Sequence, residues 1–230
     1  MSAGGLEHWR IVYLDGVHFS IRHGDQCDST IILTALGVDL AGNKEVLADL
    51  ACAEEDKDGW ACLLHDLRSR GATHIDLFVT DGHDGRLSAV SEQFTATPRQ
   101  RCLVHKQRNV LNAIPRRERP DVQVELVGIW EQPTKEEALI CLAADHQPST
   151  RCAIPKRYEV WPRTKSIFSR FMLFPRRYTG TFRPPMPSKA WEVNVRQRTD
   201  QIDMFTTETS CLTIVWATMQ DIRLHKISLQ

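Results

Sequence analysis

RIVYLDGVHF, residues 10–19, is the stretch on which the fold turns. β-Branched, aromatic and other apolar residues surround a single acid, Asp15, a composition that predicts a central strand. Two further strand-like runs follow at residues 29–40 and 45–51. Ala41-Gly42-Asn43-Lys44 joins them, and that turn composition predicts an antiparallel meander. From residue 57 to 70 the period changes: Trp60, Leu63, Leu64 and Leu67 recur at helical spacing, and Gly71 supplies a stop.

Beyond the first helix, residues 74–80 (HIDLFVT) predict a short buried strand ending at Asp81-Gly82, and residues 87–94 an amphipathic helix. A strand at 100–105 and a helix at 107–114 complete the run. The order strand-strand-strand-helix-strand-helix-strand-helix predicts an α/β protein with a ribonuclease-H-like mixed sheet flanked by helices. Residues 122–142 read as helical. Residues 146–191 then lose periodicity and hold most of the eleven prolines, and residues 211–219 restore an apolar helical pattern. The expected organisation is a first part of the core at 1–145, a disrupted segment at 146–193 and a C-terminal helical part at 194–230.

At 230 residues, with 42% hydrophobic and 25% charged side chains, the composition is that of a soluble globular protein of one or two domains. No apolar run approaches the roughly 20 residues of a membrane span. The polar first eight residues do not resemble a secretory signal, so the seven irregularly spaced cysteines are expected to be reduced thiols in a cytoplasm. The zero net charge hides a gradient, acidic over residues 1–98 and basic beyond. Arg99, Arg101, Lys106 and Arg108, then Arg116, Arg117 and Arg119, and finally Arg196 and Arg198 make clusters able to neutralise phosphates, although solvated charged faces have the same composition.

Asp15 and Asp81 share a local design: each lies at or near the end of an apolar strand and is followed by Gly. Carboxylates at neighbouring strand ends point into the crevice of an α/β sheet, where two can share a divalent cation. An Asp-Gly pair after a strand is also a common turn, so neither site is specific alone. Asp84, also followed by Gly, lies further into the loop. Cys102 and His105 have the spacing of half a zinc site, but the remaining cysteines offer no second pair. The preferred reading places them at a strand-to-helix junction, with Cys102 buried and His105 near the crevice.

Several motifs then resemble, in order and spacing, the mutator-type bacterial DNA transposase family, a family of DDE transposases. They are YLDG at 13–16, GVDLAGNKEVL at 37–47, Trp60 before LRSRG, VTDG at 79–82, QRCLVHKQRNVL at 100–111 and VRQRTDQI at 195–202. The resemblance implies two Asp and one Glu acting with Mg²⁺ or Mn²⁺ on DNA phosphodiesters, to cut the ends of an insertion element and join them to target DNA. It places the first two acids, as catalytic metal ligands, on Asp15 and Asp81, and retains Arg196 and Arg198 as phosphate contacts. The third acid would stand six residues before Val195, where this chain has Lys189. Glu192, three residues on, is a poor substitute because catalytic ligands tolerate little displacement. Family members also carry an N-terminal region associated with recognising element ends, so the chain reads as a truncated copy.

A reading-frame shift accounts for the lysine. One coding of the family-like T-T-N-A-I-E-S, read one base later, gives Pro-Pro-Met-Pro-Ser-Lys-Ala, the sequence of residues 184–190. The same offset converts P-E-A-V-R into residues 155–158, and L-L-T-F-Y-A-F-P into a stretch close to residues 168–173. The expectation is a transposase by descent that is inactive as encoded. Its partners would be DNA and, through retained surfaces, a second copy or an intact transposase. Two other readings are a non-catalytic DNA-binding or partner-binding fragment that interferes with intact transposase, and a different two-metal nuclease using Asp39 or Glu54 as its further acid.

Overall fold

The computed structural model describes residues 8–23, 26–130 and 207–221, with single positions between 132 and 141 and between 197 and 205. The chain divides into two compact units, one formed by Met1–Arg99 with Pro185–Leu229 and the other by Gln100–Pro184.

In the first unit, the acid-bearing apolar run becomes β2 (Ile11–His23), after a two-residue strand β1 (His8–Trp9) that the sequence pattern does not announce. β3 (Gln26–Val38) and β4 (Lys44–Cys52) follow as the predicted antiparallel meander. Asp39 organises the turn between them: its Oδ1 accepts from the N–H groups of Ala41 and Asn43, each at 2.8 Å, and its Oδ2 from Asn43 Nδ2 at 2.7 Å. Helix α1 (Lys57–Ser69) starts at Asp56, whose side chain accepts from Gly59 N at 2.8 Å. It stops before Gly71, which takes a φ of +102° that a side chain would strain.

The strand expected over residues 74–80 is in fact two. β5 (His74–Ile75) pairs in parallel with β1, whereas β6 (Phe78–Thr80) pairs in parallel with β2. The change of partner falls between Asp76, whose N–H donates to Trp9 O at 2.9 Å, and Leu77, whose carbonyl accepts from Val12 N at 2.9 Å. Helix α2 (Asp84–Gln93) follows. The five-stranded mixed sheet has the order β4-β3-β2-β6-β7, with β7 (Arg99–Arg101) beginning at the last residue of this unit's first segment. Both faces of the sheet are covered. On one, Leu14 and Leu33 pack with Trp60 and Leu63 of α1 and Ala89 and Val90 of α2. On the other, Val17, Phe19, Ile21 and Ile32 pack with Phe205 and with Cys211 and Val215 of the last helix, α5 (Glu208–Asp221). Thr207 and Ser210 cap that helix reciprocally, each side-chain oxygen accepting from the other's N–H, at 3.0 and 3.2 Å.

In the second unit, the strand expected over residues 100–105 gives way after Arg101 to helix α3 (Leu103–Asn112). The Cys102 carbonyl already accepts from Lys106 N at 3.0 Å, so the helical ladder begins there. Helix α4 (Arg119–Trp130) begins three residues before the expected start at 122, and buries Val122, Leu126 and Ile129. The expected irregular segment at 146–193 lies outside the described residues. No helix among the described residues is long and apolar enough to cross a membrane.

Candidate active site

The register of the central strands fixes the relation between the two acids. β2 and β6 run parallel with Val12 opposite Phe78 and Tyr13 opposite Val79, an offset of 66 positions that also relates Asp15 to Asp81. Asp15 thus lies inside β2, and Asp81 directly follows β6, two positions beyond the last registered pair. Asp15 shares its face with Val17, Phe19 and Ile21, the residues that pack towards α5. It is half-buried, its Oδ1 accepting from Gly16 N at 3.1 Å.

Across the meander, Asp15 pairs with Thr34 and Thr34 with Asp49, so a polar row crosses β2, β3 and β4 on that face. The Thr34 hydroxyl is buried with no hydrogen-bond partner among the described residues. Burial raises the Asp49 carboxyl above the usual carboxylate range, an effect partly opposed by the positive charge of Arg70.

Asp81 leaves β6 in a tight turn. Its Oδ1 accepts from His83 N at 3.0 Å, Thr80 Oγ1 accepts from Gly82 N at 3.1 Å, and Gly82 takes a φ of +91°. Such an arrangement reads as an Asx turn. It also aims the carboxylate at Arg86, in the first turn of α2.

Arg86 is the residue that the sequence reading missed. Only 1% exposed, its Nη1 lies 3.1 Å from Asp81 Oδ1 and donates to Leu14 O at 2.8 Å, next to Asp15. Its Nη2 is bonded to Glu55, which also accepts from Trp60 Nε1 at 3.2 Å, and the guanidinium lies 4.4 Å from the centre of the Trp60 ring. A buried guanidinium needs compensation for lost hydration, and here two carboxylates, a carbonyl and an aromatic face supply it. Glu55 comes close to the β2 backbone, since a Cβ built on Gly16 would lie 3.3 Å from Glu55 Oε2. Arg86 was visible in the sequence as a basic residue five positions after Asp81; nothing marked it as buried. Glu55, directly before the Asp56 cap, was hidden in an acidic run.

The other sequence candidates fall elsewhere. Asp84 is exposed at the first residue of α2, Glu54 is exposed, and Asp39 belongs to the β3–β4 turn. Cys102 is buried at the cap of α3 and His105 lies in its first turn, both in the second unit. Arg196, Arg198, Lys189 and Glu192 lie outside the described residues.

Comparison with known proteins agrees with the motifs. The family model described as "Transposase, Mutator family" matches residues 5–226. The transposase for insertion sequence element IS6120 of Mycolicibacterium smegmatis is 31% identical over 188 residues, 82% of this chain and 57% of its own length. The transposase for ISRM5 of Rhizobium meliloti is 26% identical over 236 residues, 96% of this chain and 59% of its own. The chain thus spans under two thirds of the length of these curated relatives. A chain of a simian T-cell lymphotropic virus intasome in complex with PP2A regulatory subunit B56 gamma aligns at a TM-score of 0.31 and 14% identity, covering 67% of this chain and 58% of that one, too distant a likeness to define a shared fold. On the match of its sequence from residue 5 to residue 226, this chain belongs to the mutator family of transposases.

Proposed function

We propose that the chain is the catalytic core of a DNA transposase, with a ribonuclease-H-like sheet and with Asp15 and Asp81 as two of its three metal-binding acids, and that it is inactive as encoded. The observation that carries this reading is the parallel pairing of β2, which holds Asp15, with β6, which Asp81 directly follows. The strand order supports the fold assignment: leaving aside the two-residue pair, the strands numbered along the chain lie in the order 3-2-1-4-5, the first three antiparallel.

A carboxylate on β2 and another just past the adjacent β6 suit Mg²⁺ or Mn²⁺, hard cations that take oxygen ligands and retain water. When bound, such ions lower the pKa of an attacking hydroxyl or water and stabilise the leaving oxygen of an in-line displacement at a DNA phosphate. The protein's own part is to hold the acids in place. Arg86 restrains Asp81 through Nη1 and the Leu14 carbonyl through the same nitrogen, which ties the end of β6 to the β2 backbone beside Asp15. Glu55 and Trp60 hold the guanidinium from its other side. Arg86 also balances the negative charge of the acids, which repel one another when no cation lies between them.

The third acid is the position held by Lys189, and a cationic amine cannot serve as a ligand to Mg²⁺. In this reading residues from about 146–155 to about 191 are translated out of frame, and the segment 146–193 interrupts a core made of residues 1–145 and 194–230. Arg196 and Arg198 contact DNA phosphate. Reading the nucleotide sequence across codons 145–195 tests the frame directly. The functional test is nicking of supercoiled plasmid with Mg²⁺ or Mn²⁺. The chain as encoded is expected to give none, the chain with its frame restored is expected to nick, and Asp15→Asn is expected to abolish that activity. Equal nicking by the frame-restored chain and its Asp15→Asn variant would refute the assignment.

A further inference from the structure

Away from the acids, the short parallel pair at the start of the chain brings three metal-ligating side chains together. His8 of β1 stands directly opposite His74 of β5, so their imidazoles leave one face as neighbours, edge to face with ring centres 4.3 Å apart. Asp76 follows β5 at the point where the chain changes partner, and its N–H bond to Trp9 O keeps it beside β1. Both rings direct Nε2 at a single oxygen: Asp76 Oδ1 lies 2.8 Å from His8 Nε2 and 3.3 Å from His74 Nε2. All three ligand atoms lie within 4.8 Å of one another, and no other trio of His, Cys, Asp or Glu among the described residues does so.

From these distances we infer that His8, His74 and Asp76 form a binding site for an imidazole-preferring divalent transition ion, Zn²⁺ being the probe of choice, that fastens β1 to β5. Zinc bonds to His nitrogen and carboxylate oxygen are about 2.0–2.2 Å, so the edges of a tetrahedral shell are about 3.3–3.6 Å. The two edges to Asp76 Oδ1, 2.8 and 3.3 Å, lie within about half an ångström of that shell. The donors are also graded for access. Asp76 is 24% exposed, His8 36% and His74 68%, so an ion can enter from solvent and keep water in its fourth position.

Two nitrogens and one oxygen select against Mg²⁺, which demands oxygen ligands, so this site and the Asp15–Asp81 pair take different ions. The consequence is structural. Among the described residues β1 and β5 share the His8–His74 and Trp9–Ile75 pairs, too short a ladder to be firm alone, and a bound ion adds a cross-link between them. A hydrogen-bonded histidine–carboxylate clasp without metal has similar geometry, and metal titration separates the two.

The test is calorimetric titration of the EDTA-treated full chain with ZnCl₂ in excess Mg²⁺. One Zn²⁺ per chain is expected, with a rise in melting temperature. His74→Ala and Asp76→Asn are each expected to weaken binding at least about tenfold, the lower end of what even outer partners of metal ligands contribute. Cys102→Ser and Asp15→Asn are expected to leave it unchanged. Failure of the parent to take up Zn²⁺, or parent-like binding by both His74→Ala and Asp76→Asn, would overturn the site. A Co²⁺ spectrum of the parent gives a readout that requires no variant to fold: d–d bands without thiolate charge transfer support the site, and a thiolate band contradicts it.

Discussion

Arg86 is the residue on which the candidate site depends mechanically. At 1% exposure it bridges Glu55, Asp81 and the Leu14 carbonyl, so removing it strands two partly buried carboxylates. Breaking a buried ion pair from one side costs about 3–5 kcal/mol. Arg86→Met is therefore expected to lower unfolding free energy by about 3 kcal/mol in urea titration; a loss below about 1 kcal/mol would show that the network does not hold the β6 turn. Asp49 behaves in the opposite sense. Its folded carboxyl is raised by burial, so the folded state holds the proton more tightly than the unfolded state. That contribution is complete below the ordinary value of 3.8 and is lost as pH rises through the folded value. Asp49→Asn is accordingly expected to flatten the part of the stability–pH curve that falls above pH 3.8, as followed by urea midpoints. The sequence displayed Asp15 and Asp81 because an acid inside or just after an apolar strand breaks a visible pattern. Arg86 and Glu55 broke none: one lies on a helix of ordinary polarity, the other in a run of acids. Their role comes from burial against Trp60, which only the packed structure contains.

At the scale of elements, helix α1 shows how local signals fix a boundary. Asp56 caps its first turn and Gly71 lies just beyond its end, while Trp60, Leu63, Leu64 and Leu67 form the buried stripe. Asp56→Ala removes the bond to Gly59 N and is expected to cost about 1 kcal/mol, measured by chemical denaturation. A cost near zero would mean that packing alone sets the helix start, just behind Glu55. Long periodic elements were legible for this reason: the meander and α1 match their expected spans within a few residues. Short elements were not. β1 has two residues, and the break at Asp76 lies inside an apolar run whose composition is that of one strand. Partner choice decides both features, and no local pattern encodes which strand will be nearby. The strand expected to reach residue 105 failed for a related reason, because the helical ladder of α3 takes over at the Cys102 carbonyl.

At the scale of the whole molecule, one sheet face carries a row from Asp15 through Thr34 to Asp49, with α5 returning from the end of the chain to cover the same face. That return matters for the proposed chemistry, because residues 194–230 are the part expected to lie next to the third acid. The family was legible in the sequence through motifs spread over the chain, and the match over residues 5–226 agrees with them. The central claim is narrower: Asp15 and Asp81 hold one divalent cation between them. Mn²⁺ binding by electron paramagnetic resonance tests it most directly, using the full chain in a His74→Ala background to keep the ion from the histidine cluster. The account predicts that Asp15→Asn and Asp81→Asn each remove the same bound Mn²⁺ and that the double variant loses no more than either single one. Binding that survives both substitutions, or two independent losses that add, would contradict it.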